Sequence, residues 1–277
     1  MRLDVDGHAT YAYIGTRSFD AKKPTMLFVH GAANDHSVWA LQSRYFAHHG
    51  FGVLAVDLPG HGRSQGAALP SVEALGEWIV QLIDAASIER ATIVGHSLGA
   101  LATLQAAARF PDRVERVALL GPAVPMAVSD ALLEAARSDP RLAYELIVGW
   151  SHSPARLLGG NPFPGMWMPG GALHLMNRTA PGVLHTDLRA CADYQRGLDA
   201  AAGVSCPALI VLGGADLMAP PKSAQALVQA LPQARVVTLA ACGHAMMAEQ
   251  PDAVLEALRE FVRDAGERVA KAQATLV

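Results

Sequence analysis

Short apolar runs alternate with helical patterns along most of this chain, and that alternation constrains the fold more than any other feature. Five runs are predicted to be strands, at 26–29, 53–56, 91–94, 117–120 and 208–212. Strands that are apolar at nearly every position are typical of a parallel sheet that is covered by helices on both faces. Because helical patterns separate the strands, the sequence predicts an α/β fold with a mostly parallel, doubly wound sheet.

Local signals place several other elements around this sheet. Apolar residues recur at helical spacing in 71–86, and Ser71 stands where a helix cap is expected. The alanine- and leucine-rich stretch 97–109 predicts a helix that ends before Pro111. Period-two character around Gly7 predicts an antiparallel hairpin over 3–14, and a final helix is expected from about Asp252.

One long stretch departs from the alternation. Between 121 and about 203 no strand is predicted, and helical pieces at 130–137 and 141–150 precede a segment rich in Gly, Pro and Met at 159–171. A stretch of this length is too long for an ordinary connection and predicts an inserted helical lid. We therefore expect a core in two parts, 1–121 and 204–277, with a cap over 122–203.

Composition limits the classes of partner. Hydrophobic residues make up 51% and charged residues 17%, which excludes a disordered chain. The net charge of −3 comes without any basic stripe, so we expect a small-molecule substrate and no nucleic acid. No apolar run could cross a bilayer, and three scattered cysteines give neither a disulfide framework nor a metal site. We expect a cytoplasmic protein without membrane contact, metal or cofactor; homo-oligomer formation stays open.

The strongest chemical signal is the Gly-His-Ser-Leu-Gly segment at 95–99. It directly follows a predicted strand and precedes a predicted helix, which is the context of a nucleophile elbow. Such a tight turn strains its central residue, here Ser97, and requires small neighbours. The Ser97 hydroxyl is then expected in the crevice beyond the strand ends, where a helix N-terminus favours developing negative charge.

Four motifs in a fixed order resemble the α/β-hydrolase family over nearly the whole chain. They are His-Gly-Ala-Ala at 30–33, Asp-Leu-Pro-Gly-His-Gly-Arg-Ser at 57–64, the elbow at 95–99, and Gly-Gly-Ala-Asp at 213–216 together with Gly-His at 243–244. The resemblance implies the α/β-hydrolase fold, with an eight-stranded, mostly parallel sheet between helices and a helical cap inserted after the sixth strand.

A serine hydroxyl needs a base to accept its proton, and His244 is the best candidate. It lies between the strand-like stretch 235–240 and the final helix, and Gly243 allows a close approach. The resemblance implies that His96 packs beside the elbow. We expect a structural hydrogen-bonding role for His30, and a turn or surface position for His61.

The base needs a carboxylate to orient it, and Asp216 is the candidate. It follows a buried strand, and the order Ser97, Asp216, His244 is the Ser…Asp…His order of this fold. The rival position, after the sixth strand, offers no acid in 121–128. Asp57 also ends a strand, but the resemblance implies that it fixes a loop.

Acyl transfer also needs backbone donors aimed at the oxyanion. One is expected to be the amide of Leu98, and the other that of Ala32, with Ala33 as the alternative. The methionines and tryptophans of the lid either line an apolar pocket or pack the lid onto the core; these are Met126, Trp150, Met166, Trp167, Met168 and Met176.

These features predict a serine hydrolase that acts on a carboxylic ester or a related small acyl substrate through an acyl-enzyme. Serine at the elbow argues against relatives that use aspartate there, such as haloalkane dehalogenases and epoxide hydrolases. Lactonase, thioesterase, acyltransferase, carbon–carbon bond hydrolase and cofactor-free haloperoxidase activity remain open. The alternative from another class is a non-enzymatic small-molecule sensor on the same fold.

Overall fold

The computed structural model describes residues 1–160 and 166–274, with the backbone alone from residue 264 onward. Its single eight-stranded sheet has the order β1-β2-β4-β3-β5-β6-β7-β8. The strands are β1 (Arg2–Val5), β2 (His8–Tyr13), β3 (Thr25–Val29), β4 (Gly52–Val56), β5 (Ala91–His96), β6 (Val114–Leu120), β7 (Ala208–Gly213) and β8 (Arg235–Leu239). β1 pairs antiparallel with β2, and β2 with β4, whereas all other pairs are parallel. The predicted hairpin and the predicted sheet are both confirmed.

Both faces of the sheet are buried because side chains of one strand alternate between two apolar layers. In β3, which is buried at every position, Leu27 and Val29 join the layer that holds the helices over 72–85 and 98–109. Met26 and Phe28 point to the opposite layer, where they meet Trp39 of a 3₁₀ helix (His36–Trp39) and residues of the last helix. The continuous apolarity of the strands thus follows from burial on two sides.

Six helices of the described residues lie outside the segment between β6 and β7. They are α1 (Ala40–His48), α2 (Val72–Ala85), α3 (Leu98–Arg109), α10 (Gln225–Ala230), α11 (Met246–Glu249) and α12 (Pro251–Ala274), with a second 3₁₀ helix at Pro221–Ala224 before α10. The Ser71 hydroxyl accepts a hydrogen bond from the Ala74 amide at 3.2 Å, which confirms the predicted cap of α2.

The remaining helices lie between β6 and β7, where the insertion was expected. They are α4 (Asp130–Ser138), α5 (Pro140–Ser151), α6 (Pro154–Leu157), α7 (Met168–Met176), α8 (Val183–Asp193) and α9 (Gly197–Gly203). α4, α5, α7 and α8 share an apolar cluster of their own, which also includes Ala33 of the core. α9 differs, because Ala200 and Ala201 belong to the main core on the α3 side. Residues 161–165 of the Gly-, Pro- and Met-rich segment lie outside the described residues.

In the described residues, no helix combines the length and the apolar character that a membrane span requires.

Candidate active site

Ser97 sits at the sharp turn between β5 and α3, with φ 54° and ψ −118°. A Cβ added to Gly95 would lie 2.2 Å from the Gly99 carbonyl oxygen, and one added to Gly99 would lie 2.5 Å from that of His30. The Ser97 amide donates to the Leu120 oxygen at 2.9 Å, which ties the turn to the end of β6. The two glycines therefore permit a backbone conformation that a serine rarely adopts.

Asp216 and His244 form a buried pair beyond the ends of β7 and β8. His244 Nδ1 lies 2.7 Å from Asp216 Oδ2, and Asp216 Oδ1 accepts the amides of Met218 and Ala219 at 2.8 Å. Burial by itself raises the pKa of Asp216, but the adjacent His244 ring and the two amides outweigh it and leave that pKa below its ordinary value. An ionised carboxylate can only accept, so Nδ1 carries a proton, and in the neutral form of the ring Nε2 is the nitrogen that can accept one.

Gly121 makes room for the His244 ring at the end of β6. Its φ is +58°, and a Cβ there would lie 2.9 Å from His244 Cε1. A glycine is therefore required at this position for two independent reasons, its backbone conformation and its contact with the ring.

His96 supports the loop that carries His244. Its Nε2 donates to the His244 carbonyl oxygen at 2.9 Å, and the two ring centroids are 4.6 Å apart. Burial, followed by the nearby His244 ring, lowers the pKa of His96 to about 3, so this ring is neutral. His96 thus packs beside the elbow, as expected.

Ser97 and His244 line one cavity of about 400 Å³. No direct hydrogen bond joins the Ser97 hydroxyl to the His244 ring in the described part of the chain. Catalytic hydrogen bonds are often formed only when substrate is present.

Six of the nine methionines line the cavity: Met126, Met166, Met168, Met176, Met218 and Met247. Trp167 also lines it, whereas Trp150 packs against the apolar cluster of the inserted helices.

The loop at 30–34 approaches Ser97 closely. A Cβ on Gly31 would lie 3.1 Å from the Ser97 Cβ, and Ala32 lines the cavity. Within residues 1–160 and 166–274, neither the Ala32 amide nor the Leu98 amide donates to a protein acceptor. The Ala33 amide, in contrast, donates to Asp187 Oδ2 at 2.9 Å and is not available to an oxyanion.

His30 has the structural role expected of it. Its Nδ1 donates to the Gly31 oxygen at 2.8 Å, and its Nε2 accepts the Leu58 amide at 3.0 Å. Burial and the nearby His61 ring lower the pKa of His30 to about 4, so the ring is neutral and its tautomer is set by these two partners.

His61 lies in a turn, which is one of the two positions expected of it, but it is not on the surface, because it is only 2% exposed. Its Nε2 lies 2.9 Å from Asp187 Oδ2 in α8, and its Nδ1 lies 3.0 Å from the Pro59 oxygen. Burial alone would lower the pKa of His61, but Asp187 and the Pro59 carbonyl raise it above its ordinary value. Sequence reasoning missed this pair because Asp187 is 126 residues away in the inserted helices.

Glu249 was also missed. This buried carboxylate accepts the Ser153 amide at 2.9 Å, the Ser153 hydroxyl at 2.6 Å and the Gly243 amide at 3.2 Å. It therefore links the segment after α5 to the residue that precedes His244. No sequence signal distinguishes Glu249 from the other acidic residues near α12.

One group in the described residues could offer a metal ion three ligands. Atoms of Asp35, His36 and Asp57 lie within 4.8 Å of one another. Asp57 already accepts the His36 amide, the His36 ring and the Arg63 amide, at 2.7–2.8 Å. Asp35 accepts the Ser37 amide at the start of the 3₁₀ helix. These bonds give Asp57 the loop-fixing role that the resemblance implied.

Known proteins with similar sequences include several esterases. A pimeloyl-[acyl-carrier protein] methyl ester esterase of Neisseria meningitidis is 32% identical over 269 residues, which cover 88% of this chain and 94% of that protein. Esterase YbfF of Escherichia coli is 26% identical over 227 residues, covering 76% of this chain and 83% of the esterase.

Among solved structures, the enol-lactonase from Burkholderia xenovorans LB400 superposes with a TM-score of 0.85 and 26% identity, covering 95% of this chain and all of the lactonase. The family model described as "Alpha/beta hydrolase family" matches residues 26–257, and that range includes the elbow and both members of the buried pair. The chain therefore belongs to the alpha/beta hydrolase family.

Proposed function

We propose that this protein hydrolyses small carboxylic esters or related acyl compounds, with Ser97 as nucleophile, His244 as general base and Asp216 as the acid that orients it. One observation carries the proposal: a strained elbow serine shares a cavity with a histidine whose Nδ1 is bonded to a buried, ionised carboxylate. Esterases and an enol-lactonase among the relatives support the same reaction class.

The reaction needs only groups of the chain, the substrate and water. Ser97 Oγ attacks the ester carbonyl carbon while His244 Nε2 takes the hydroxyl proton. The amides of Leu98 and Ala32 stabilise the oxyanion, and loss of one such donor typically costs about 2.7–4 kcal/mol. His244 returns the proton to the departing alcohol, leaving an acyl-enzyme. Water, deprotonated by His244, then releases the acid and restores Ser97.

The cavity favours an ester with an apolar acyl or alcohol part. Thioether and aliphatic side chains dominate its walls, and methionine adapts to ligands of different shape. Lactone hydrolysis is the second candidate, because the enol-lactonase superposes on 95% of this chain with 26% identity.

The division into core and cap is part of the proposal. Residues 1–121 and 204–277 supply the strands and the groups assigned to chemistry, whereas 122–203 supply much of the cavity wall. The separate apolar cluster of α4, α5, α7 and α8 supports a cap, although α9 packs with the core. The three cysteines are free, which supports a reducing, cytoplasmic setting.

Fluorophosphonate labelling followed by turnover of p-nitrophenyl esters and lactones of graded chain length tests the proposal. We expect labelling at Ser97 and multiple turnovers, with Ser97→Ala losing at least about 10³-fold in kcat while its melting temperature stays within a few degrees of the wild type. Labelling without turnover would favour a sensor. Turnover by Ser97→Ala near the wild-type rate would refute the assignment of the nucleophile.

A further inference from the structure

Ala33 has a backbone conformation that L-residues rarely adopt. Its φ is +51°, it is 1% exposed, and it directly follows Ala32. An alanine has no side-chain group that could stabilise this left-handed conformation by itself. Neighbouring groups must therefore hold it in place.

Both polar groups of the Ala33 backbone are bonded to the inserted helices. Its amide donates to Asp187 Oδ2 at 2.9 Å, and its carbonyl oxygen accepts the Thr179 hydroxyl at 3.1 Å. Asp187 belongs to α8, and Thr179 lies between α7 and α8. The conformation of this core loop is thus set by residues about 150 positions further along the chain.

His61 holds Asp187 in turn. The two His61 nitrogens face the Pro59 carbonyl and the Asp187 carboxylate, so the protonated ring can donate a hydrogen bond to each of them. The His61 and Asp187 side chains are 2% and 3% exposed. A charge-assisted bond in such a dry site has a well-defined geometry. We call Ala33, Thr179, Asp187 and His61 the Ala33 junction.

We propose that Asp187 is a positioning residue for the oxyanion hole, through which docking of the cap sets the direction of the Ala32 amide. The inference rests on the proposed function. The Ala33 amide belongs to the peptide plane that follows Ala32, so fixing that plane restricts the rotation of Ala32 toward Ser97. Without the junction, Ala33 can relax from its left-handed conformation and turn the Ala32 amide away from the developing oxyanion.

The first test compares Asp187→Asn with Asp193→Asn, the same substitution at an exposed position of the same helix. A donor that acts mainly in the transition state affects kcat and leaves KM unchanged. We expect Asp187→Asn to lower kcat by about 10–100-fold, less than the ~10²–10³-fold loss of a whole oxyanion donor, with KM changed less than about 3-fold. Asp193→Asn should match the wild type. Equal kcat in both variants would overturn the proposal.

The second test separates positioning from general support of the cap. Glycine adopts the left-handed conformation without strain, so adding Ala33→Gly to Asp187→Asn should recover at least about 3-fold of the lost kcat. No recovery would overturn the proposed route through Ala33. If Asp187→Asn does not fold, Thr179→Val removes only the bond to the Ala33 oxygen and should still lower kcat several-fold at constant KM.

Hydrogen exchange gives a readout that does not depend on turnover. We expect the Ala33 amide to exchange at least about 10-fold faster in Asp187→Asn than in the wild type, with the amides of β5 unchanged. Unchanged exchange at Ala33 would overturn the proposal. If the wild type lacks esterase activity, the proposed function fails, and this measurement still decides whether Asp187 holds the loop.

Discussion

At the scale of single residues, His244 is restrained from three directions. Asp216 bonds to its Nδ1, His96 donates to its carbonyl oxygen, and Gly121 leaves space for its ring. Three different parts of the sheet supply these contacts, so the ring direction depends on the fold and not on the local loop alone. The ring is thereby preorganised before substrate binds.

Replacing Asp216 with Asn keeps the size of the side chain but presents an NH₂ group that can donate to Nδ1. The ring would then carry its proton on Nε2 and could not accept the serine proton. We expect kcat to fall by about 10⁴-fold, with KM within about 3-fold, in p-nitrophenyl ester assays. Asp252→Asn, at the exposed start of α12, is the matched control. A loss below 10-fold would contradict the assigned role of Asp216.

The candidate catalytic residues could be predicted from the sequence because each follows a strand within a short motif. Parallel strands bring such positions to one edge of the sheet, and the structure places Ser97 and His244 in one cavity. Their catalytic roles remain predictions. Asp187 and Glu249 could not be found in this way. Their partners are 154 and 96 residues away, and a lone carboxylate in a helix resembles any solvated acid.

At the scale of elements, Glu249 joins α11 to the segment after α5. Its oxygens accept from Ser153 and Gly243, and all of these groups are buried. The loop that carries His244 therefore touches the inserted helices through one carboxylate. This contact makes the position of the loop depend on the docking of those helices.

Removing this carboxylate should leave buried amides without acceptors. We expect Glu249→Ala to lower the free energy of unfolding by about 2–5 kcal/mol, because each orphaned amide costs about 1–3 kcal/mol. Glu249→Gln retains one acceptor oxygen, and its amide can donate to the Ser153 hydroxyl, so its loss should stay near 1–1.5 kcal/mol. Urea unfolding measures both. Glu256→Ala, at an exposed site of α12, should cost no more than about 0.5 kcal/mol. Equal losses for Glu249→Ala and Glu249→Gln would contradict this explanation.

Elements with strong periodicity were predicted well, and the reasons for the misses are local. β6 begins at Val114, three residues before the predicted run. The charged, half-buried residues Glu115 and Arg116 interrupt the apolar pattern there, although they belong to the strand. The predicted 130–137 and 141–150 correspond to α4 and α5 within about one residue at each end. α7 was not predicted, because two glycines and a proline obscure its helical pattern.

At the scale of the whole molecule, buried histidines set the pH dependence of stability. Burial lowers the pKa of His30 to about 4 and that of His96 to about 3, so below pH 6.5 the unfolded chain binds protons that the folded chain cannot. His61 shifts the opposite way, and its contribution is complete below pH 6.5 and lost as the pH rises through its higher folded pKa. Stability should therefore be greatest close to pH 6.5.

Urea unfolding between pH 4.5 and 9 tests this expectation. Below pH 6.5, each of these two neutral rings should lower the free energy of unfolding by about 1.4 kcal/mol for every unit by which the pH falls. This decrease begins at a higher pH than the titration of most carboxylates. Above pH 6.5, the free energy of unfolding should fall more gently as the pH rises. Exposed His48 is the control, since His48→Asn should leave the profile unchanged. A flat profile from pH 4.5 to 6.5 would show that these rings are not held neutral.

The bare backbone at Gly121 limits how this site can be redesigned. A carboxylate transplanted to the tip of β6 would need a Cβ in the space that the imidazole fills, 2.9 Å from Cε1. An acid at position 121 itself is therefore excluded, and in this structure the carboxylate reaches the imidazole from the β7 side, through Asp216. The absence of a side chain at Gly121 therefore restricts the position of the His244 ring, as the bond from Asp216 also does.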